Sequence, residues 1–492
     1  MPKPPESSEP AAAPETSGPD GRSAHLRRVD EFFQISARGT TFARESRGGL
    51  VTFFTMAYIL VLNPIILGGA QDVNGDVLDF GQLVTVTALV AAMMTVLMGV
   101  TANLPLALAA GLGLNAMVAY QIAPLMTWPE AMGLVVLEGI LICVLAATGL
   151  REAVMHAIPL QLKQAISVGI GLFIAFIGFI NAGFATRIPG EEGSVPVELG
   201  TGGQLAGWPV FVFTLGVLLT LALLARRVKG AILLSIVAMT VLAVVIHALA
   251  DIDDSEWGLT VPEVPAQLVA APDFGLVGAF SLFGAIGQVS IITVVLLVFT
   301  LFLTDFFDTM GTAVGVTNKA GLLDEQGRVP RLGRLLFVDG LATVAGGAAS
   351  ASSNTSYVES AAGVGEGART GFANLVTGGL FVLALFFAPL AAVVPSQAAA
   401  PALVAVGFLM MTQVSRVDWA HYDLAIPAFV TIAVMPFTYS ITNGIGAGFI
   451  AYVVVKVVVG KAREVHWLLW ATSALFVVYF AINPIEQLLG VR

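Results

Sequence analysis

Residues 109–116, AAGLGLNA, are echoed by residues 361–368, AAGVGEGA, with identical residues at five of the eight positions. Each octet follows a segment that disfavours a continuous helix: Asn103-Leu104-Pro105 precedes the first, and residues 352–357 precede the second. Because Ala and Gly are abundant in this chain, the match gains weight only from its place in the third apolar run of each half. The two stretches predict discontinuous membrane spans, each an extended segment followed by a half-helix, related by an internal repeat.

The composition is that of an integral membrane protein. Hydrophobic residues make up 57% of the 492 residues, charged residues make up 11%, and the mean hydropathy is +0.88. This leaves too little polar surface to cover a soluble globule. Apolar runs near the ~20 residues that a spanning helix needs recur along the chain, whereas the short alternating strands of a barrel are missing from the pattern. The sequence predicts an all-α polytopic fold with fourteen spans: 50–70, 82–100, 104–122, 130–149, 160–182, 207–226, 230–250, 284–314, 335–349, 353–366, 371–393, 396–413, 423–440 and 442–460.

The distribution of charge predicts the orientation of these spans. If the N-terminus is cytoplasmic, the connections that hold Arg226, Lys229 and residues 319–334 are also cytoplasmic, as the positive-inside rule requires. The acidic loop 251–263 then lies outside. Because seven is odd, the second set of seven spans begins on the opposite side of the membrane from the first. This is the topology of a 7+7 inverted repeat.

The two ends of the chain differ from the spans. Residues 1–47 are rich in Pro, Ser, Glu and Ala and then in Arg, which predicts a disordered, basic cytoplasmic tail. An apolar run at 464–489 follows the fourteenth span, and we interpret it as a membrane-embedded or interfacial helix, with a fifteenth span as the alternative. The single cysteine, Cys143, excludes an internal disulfide.

Acids inside apolar spans are functional candidates, because placing one at the centre of a bilayer costs about 2.5–3.5 kcal/mol or more. Glu359 opens the second half-helix, and Asp305 and Asp308 lie three residues apart, near one face of the eighth span. A structural role beside Thr309 fits Asp308 equally well. Three other glutamates are weaker functional candidates. Glu130 and Glu138 lie near span ends or stand alone, and Glu366 can pair with Arg369 at the surface.

Two acids, the amide of Asn115 and the N–H groups of two half-helices suit a planar heterocycle with donors and acceptors along its edges. Guanine and hypoxanthine present ring N–H donors that a carboxylate can accept. A carboxylate that protonates also offers a coupling site for a proton gradient, with sodium as the alternative ion. Stacking on Phe306, Phe307 or Tyr357 stays open. The five histidines are scattered and form no HExxH or His-Cys pattern, so the sequence predicts no enzyme, no metal site and no cofactor.

Four ordered motifs carry a family resemblance. RGTTFARESRGGLVTFFTMAYILVLNP (38–64), GLGLNA (111–116), TDFFDTMGT (304–312) and SYVESAAGVGEGARTG (356–371) resemble the azaguanine-type adenine, guanine and hypoxanthine permeases of the nucleobase-cation symporter class. The resemblance extends from about Phe32 to Lys461. It implies purine uptake by proton symport, with an elevator-type motion of a core domain against a gate domain.

The resemblance also implies residue roles. Glu359, Asp305 and Asn115 are expected to bind the substrate, the first two also to couple protons, and Asp308 is expected to serve the fold. Three further residues are expected to bind substrate: Tyr357, Val358 and Ser360. Three others are expected to support the site: Thr309, Gly111 and Gly113.

The same resemblance implies the domain boundaries and the setting. The core domain is expected at 48–152 and 273–393, the gate domain at 153–250 and 394–463, an extracellular loop at 251–272 and an extra C-terminal segment at 464–492. The protein is expected in the cell (inner) membrane, as a possible homodimer and without a nucleic-acid partner. Two alternatives share the fold: a pyrimidine or xanthine permease, and an anion exchanger or channel, which two acids in the site disfavour.

Overall fold

The computed structural model describes residues 24–148, 158–188, 197–250, 252–326 and 328–481. The predicted tail before residue 24 and the C-terminal segment after residue 481 lie outside these residues. The helices are α1 (Ala24–Phe33), α2 (Phe42–Met56), α3 (Ile59–Gly68), α4 (Phe80–Ala102), α5 (Leu112–Met117), α6 (Trp128–Thr148), α7 (Leu160–Asn181), α8 (Trp208–Ala225), α9 (Ala231–Ala250), α10 (Ala285–Gln288), α11 (Ile291–Lys319), α12 (Leu332–Ala348), α13 (Ser360–Gly365), α14 (Phe372–Ala384), α15 (Ala388–Ala391), α16 (Ser396–Met411), α17 (Tyr422–Phe437), α18 (Ile441–Val458) and α19 (Trp467–Phe480). The strands are β1 (Leu108–Ala110), β2 (Ala185–Thr186), β3 (Glu198–Leu199) and β4 (Asn354–Ser356).

Ten helical segments of the described chain are long and apolar enough to cross a membrane. The prediction of a helical multi-pass membrane protein is therefore confirmed. Observed and predicted bounds agree closely in places: α7 covers 160–181 against 160–182, and α9 covers 231–250 against 230–250. The third, ninth, tenth and thirteenth predicted spans hold shorter helices, so the count of fourteen stays a prediction.

The first span begins earlier than its apolar run indicates. Helix α2 starts at Phe42, after the side chain of Thr41 accepts a hydrogen bond from a backbone N–H of the first turn. The carboxylate of Glu45 in that turn is fully buried. It accepts a hydrogen bond from the backbone N–H of Arg369 at 2.7 Å. Because this charge has a partner, a polar turn can belong to the packed bundle.

Residues 24–33 form helix α1, which differs from the expected disordered tail. Phe33 is buried against Phe372, with ring centroids 5.7 Å apart. The side chain of Asn103 donates to the carbonyl of Phe33 at 2.8 Å. Arg38 donates to the carbonyls of Asn103 and Arg369 at 2.7 and 2.9 Å. These long-range contacts order a segment whose composition is typical of a tail.

The membrane helices pack in two groups. Helices α2, α4, α6, α11, α12, α13 and α14 contact mainly one another, as do α7, α8, α9, α16, α17 and α18, and α19 packs on α18. Backbones approach closely inside the first group: a Cβ on Gly139 of α6 would lie 2.6 Å from the backbone nitrogen of Val344 in α12. Small residues drive helix association in apolar surroundings, where burial of apolar surface supplies little.

The two ends of the bundle differ in charge. We call the end that carries Arg38, Lys229, Lys319 and Arg369 the basic end, and the end that carries Asp254 and Glu263 the acidic end. At the basic end Glu366 pairs with Arg47 at 2.9 Å and with Lys229. These partners replace Arg369, the partner that sequence proximity suggested.

Candidate functional site

The two discontinuous segments meet as a two-stranded ribbon in the middle of the first helix group. β1 pairs antiparallel with β4, with Leu108 opposite Ser356 and Ala110 opposite Asn354. Backbone hydrogen bonds of 2.9 Å extend the pairing at both ends, from Gly111 to Ser353 and from Tyr357 to Ala107. Helix α5 therefore starts at one end of the ribbon and α13 at the other. A strand of this length rises about 7–10 Å, so the two helices do not start at a common point.

Two predicted substrate residues hold the ribbon together instead of facing open space. The hydroxyl of Tyr357 donates to the carbonyl of Ala110 at 2.5 Å, and its side chain is buried. The hydroxyl of Ser360 accepts a hydrogen bond from the backbone N–H of Ala107 at 3.0 Å. Both residues thus help to fix the geometry of the ribbon, and their contact with substrate stays a prediction.

Glu359 and Val358 lie at the open side of the ribbon. Glu359 is half-buried and precedes the first turn of α13 without capping it. Val358 is 55% exposed. The hydroxyl of Tyr58 donates to the Glu359 carboxylate, and sequence reasoning missed this tyrosine. No sequence signal marks it, because residues 50–60 contain neither Gly nor Pro, and the interruption between α2 and α3 where Tyr58 lies is seen only in the structure.

Asn115 is a buried amide with an unused hydrogen-bonding capacity. It is 0% exposed, and neither its nitrogen nor its oxygen has a hydrogen-bond partner among the described residues. Leaving such groups unpaired costs about 1–3 kcal/mol. The neighbouring glycines are packing positions: a Cβ on Gly111 would lie 2.9 Å from Thr355, and one on Gly113 would lie 2.8 Å from Ile170 of α7.

The structure separates the two aspartates of the eighth span. Asp308 is exposed, whereas Asp305 is 0% exposed. The sequence expectation of substrate contact for Asp305 and a structural role for Asp308 stays a prediction, and the structure adds that Asp308 is the more accessible of the two. Three residues turn a helix by about 300°, so the two carboxylates diverge by roughly 60°, enough for one to face inward and the other outward.

Asp305 belongs to a buried group of three acids from three helices, together with Glu138 of α6 and Asp339 of α12. Thr309, expected to support the site, donates to Asp339 at 2.8 Å and lies 2.7 Å from the hydroxyl of Thr355 on β4. Glu138 was expected to matter little and Asp339 drew no attention. An acid inside a span is a functional candidate by default, and that rule applied to both.

One face of α11 borders an open space that we call the gap. Positions 308, 311, 315 and 318 are exposed, and a Cβ on Gly311 or Gly315 would meet nothing within 4 Å. Leu301 and Thr304, nearer the start of the helix, are buried. A face of aspartate, glycine and asparagine does not suit lipid contact. The gap therefore opens from Asp308 towards the basic end.

The two helix groups meet at the acidic end. Gln121, in the helical turn after α5, accepts hydrogen bonds from the hydroxyl of Ser440 at 3.1 Å and from the backbone N–H of Ile441 at 3.0 Å. The rings of Tyr120 and Tyr439 pack edge-on with centroids 6.0 Å apart. A cavity of about 520 Å³ is bordered by these two tyrosines. The two helix groups are thus in side-chain contact at this end.

Among the described residues, His247, Asp254 and Glu263 have the spacing of metal ligands, with ligand atoms within 4.8 Å of one another. The indole N–H of Trp257 donates to His247 Nδ1 at 3.1 Å. Nε2 of the same ring lies 3.7 Å from Asp254 Oδ1 and 3.8 Å from Glu263 Oε1. These distances exceed those of hydrogen bonds, so the three side chains form an electrostatic group beside Trp257.

Comparisons with known proteins agree with the geometry of a membrane carrier. Residues 44–471 match the permease family termed Xan_ur_permease. The guanine/hypoxanthine permease PbuG of Bacillus subtilis (strain 168) is 39% identical over 454 residues, covering 91% of this chain and 98% of the relative. The adenine permease AdeP of Escherichia coli (strain K12) is 36% identical over 451 residues, covering 91% and 95%.

Solved structures share the fold at low sequence identity. The transmembrane domain of the cyanobacterial bicarbonate transporter BicA superposes with a TM-score of 0.58 at 15% identity, covering 82% of this chain and 97% of that domain. Similarity at this level concerns architecture only.

Proposed function

The chain belongs to the permease family, so it is a membrane transporter and not an enzyme, and we propose that it carries guanine, hypoxanthine or adenine across the membrane by proton symport. Two relatives with 39% and 36% identity over nine-tenths of the chain bear the names of guanine/hypoxanthine and adenine permeases. The observation that carries the proposal is the half-buried carboxylate of Glu359, which opens a half-helix and is held by Tyr58.

The ribbon and the gap suit a purine. Glu359 can accept a ring N–H of the base, and the unpaired amide of Asn115 can both donate and accept. We place Glu359, Val358 and Asp308 in contact with the base, because these residues are exposed or half-buried beside the ribbon and the gap. Two acids at one site disfavour an anionic substrate, and this argues against an anion exchanger despite the shared fold.

The ionisable residues of the spans supply proton coupling. Glu359 and Asp305 are the candidate coupling residues: Glu359 is within reach of the base, and Asp305 is enclosed. Protonation of a carboxylate beside a neutral base removes the cost of an isolated charge in the bilayer. A sodium-coupled carrier is the alternative, and uptake driven by a pH gradient without a sodium gradient separates the two.

The packing supports an elevator-type motion of a core domain (48–152 and 273–393) against a gate domain (153–250 and 394–463). Contacts inside each of the two helix groups outnumber those between them. The helix contacts also repeat between the two halves. The contact of α6 with α12 corresponds, seven spans away, to that of α14 with α4, and the contact of α7 with α17 corresponds to that of α16 with α8. Such correspondence is expected of a 7+7 inverted repeat.

The orientation follows from charge. We place the basic end in the cytoplasm and the acidic end outside the cell (inner) membrane, in keeping with the positive-inside rule. The gap then opens to the cytoplasm, and the structure corresponds to an inward-open state. A homodimer is the assembly that we propose by analogy with the family.

A competition experiment tests the proposal. A purine-auxotrophic host expressing the protein should take up labelled hypoxanthine, and unlabelled guanine or adenine should compete. Uracil, sulfate and bicarbonate should not compete. Uptake blocked by sulfate or bicarbonate, or no purine uptake by protein that reaches the membrane, would reject the proposal.

A further inference from the structure

Glu138 and Asp305 form a closed pair of acids behind the ribbon. Both side chains are 0% exposed, and their carboxyl groups lie within hydrogen-bonding reach of each other. The hydroxyl of Ser353 lies 3.4 Å from Glu138 Oε1 and 3.4 Å from Asp305 Oδ2. The hydroxyl of Thr343 donates to the same Asp305 Oδ2 at 2.9 Å. Both hydroxyl groups thus approach Oδ2 of Asp305, and that of Ser353 also approaches Oε1 of Glu138.

The second carboxyl oxygen of each acid has no hydrogen-bond donor among the described residues. Glu138 Oε2 and Asp305 Oδ1 have no hydrogen-bond partner in the part of the chain that the structure describes. The ion pairs found among these residues include neither acid. Two ionised carboxylates in contact, without a cation, are costly in an apolar interior. A single proton lowers this cost, because it removes one of the two charges and gives the pair an O–H donor.

We propose that Glu138 and Asp305 share one proton and that this pair holds the coupled proton of the carrier. The inference rests on the proposed function. It gives a role in proton coupling to Glu138, which neither the motifs nor the site geometry had linked to transport. Two unpaired oxygens match one proton, whereas a hard metal cation takes about six or more oxygen ligands. The pair behaves as a unit, so its proton belongs to both acids.

The surroundings of the pair contain further titratable groups on every neighbouring element. Asp339 on α12 differs from the pair, because the Thr309 hydroxyl lies 2.8 Å from each of its oxygens and the Ser356 hydroxyl donates to Oδ1 at 3.0 Å. Its oxygens therefore have donors, and it serves as the matched control. Asp308 on α11 interacts electrostatically with Asp305, and Cys143 on α6 interacts with Asp339. Tyr58, Tyr357 and Glu359 interact with one another and with Asp308.

The ribbon connects the pair to the substrate site. Ser353 lies within 3.4 Å of both acids through its hydroxyl, and its carbonyl accepts the backbone N–H of Gly111 at 2.9 Å, next to the start of α5. Loss of the shared proton changes what this serine can donate to, and so changes the support of the ribbon. Asp308, one turn further along α11 and exposed to the gap, gives the proton a group through which to exchange with water.

Infrared difference spectroscopy on purified protein tests the pair without transport. The carbonyl stretch of a protonated carboxylic acid, shifted by exchange into D₂O, should be present in the wild type. It should be lost in Glu138→Gln and kept in Asp339→Asn. A wild type without this band, or a Glu138→Gln variant that keeps it unchanged, overturns the proposal.

Uptake in proteoliposomes tests the coupling. At low purine concentration the wild-type rate should fall about tenfold per unit rise in outside pH above the midpoint, the limit for one proton. Glu138→Gln should take up purine at a rate that does not change with pH. Retention of the wild-type pH dependence by this variant, or wild-type uptake that follows sodium instead of pH, contradicts the inference. Failure of the wild type to transport any purine would reject the proposed function, and the infrared result would still decide on the shared proton.

Discussion

Substitution of Gly363 by Ala tests how α13 is held against the first span. A Cβ at Gly363 would lie 2.2 Å from the side-chain oxygen of Thr52 and 2.4 Å from the carbonyl of Gly48, whereas ordinary contact begins at 3.4 Å. The difference between 3.4 and 2.4 Å means that the half-helix must shift by about 1 Å. Overpacking of this kind costs about 1–3 kcal/mol. Because Glu359 immediately precedes α13, the shift also displaces its carboxylate, and a misplacement of about 1 Å can cost up to ~100-fold.

The assay is equilibrium binding of labelled guanine or hypoxanthine to purified protein, with thermal stability followed by size-exclusion chromatography. We expect Gly363→Ala to melt earlier and to bind about 10- to 100-fold more weakly. The matched control is Gly379→Ala in α14, where a Cβ would meet nothing within 4 Å, so both properties should be unchanged. A Gly363→Ala protein as stable and as tight-binding as the wild type would refute the contact between α13 and α2.

Two further predictions concern the site and the gap. Tyr58→Phe removes the hydroxyl that donates to Glu359, and a hydrogen bond to an ionised group contributes about 1.5–3 kcal/mol. The dissociation constant of the purine should therefore rise about 10- to 100-fold, and an unchanged value would show that Tyr58 does not position the carboxylate. Gly311→Cys in a Cys143→Ala background should react with a membrane-impermeant maleimide applied to the basic end, whereas Leu303→Cys, at a position 0% exposed, should not. Labelling only from the acidic end would contradict the direction of the gap.

The fold followed from the sequence wherever apolar length decides it. Long runs such as residues 160–181 and 231–250 must be helices that span, because a bilayer leaves no other way to pair the backbone. The start of the first span did not follow, since the polar turn around Glu45 is packed only because the backbone of Arg369, over three hundred residues away, donates to it. Helix α1 was not predicted for the same reason: its order depends on tertiary contacts that local composition does not reveal.

The site could be predicted as a set of residues but not as an arrangement. The sequence identified Glu359 and the aspartates by the cost of burying a charge. It could not tell which of Asp305 and Asp308 faces the gap, because their angular difference on the helix is small and the choice depends on neighbouring helices. The link between Glu138 and Asp305 was equally invisible, since it joins two helices far apart in the chain. The ribbon roles of Tyr357 and Ser360 arise from strand register, which two short segments do not specify.

Equilibrium binding to Glu359→Gln tests the central claim most directly. Removing one partner of a charged hydrogen bond that the bound purine buries costs about 2–5 kcal/mol, so the purine dissociation constant should rise at least ~30-fold in this variant. The control is Glu366→Gln in the same segment, whose carboxylate pairs with Arg47 at the basic end. This control should bind purine as the wild type does. A Glu359→Gln protein that folds and binds guanine or hypoxanthine with wild-type affinity would contradict the account.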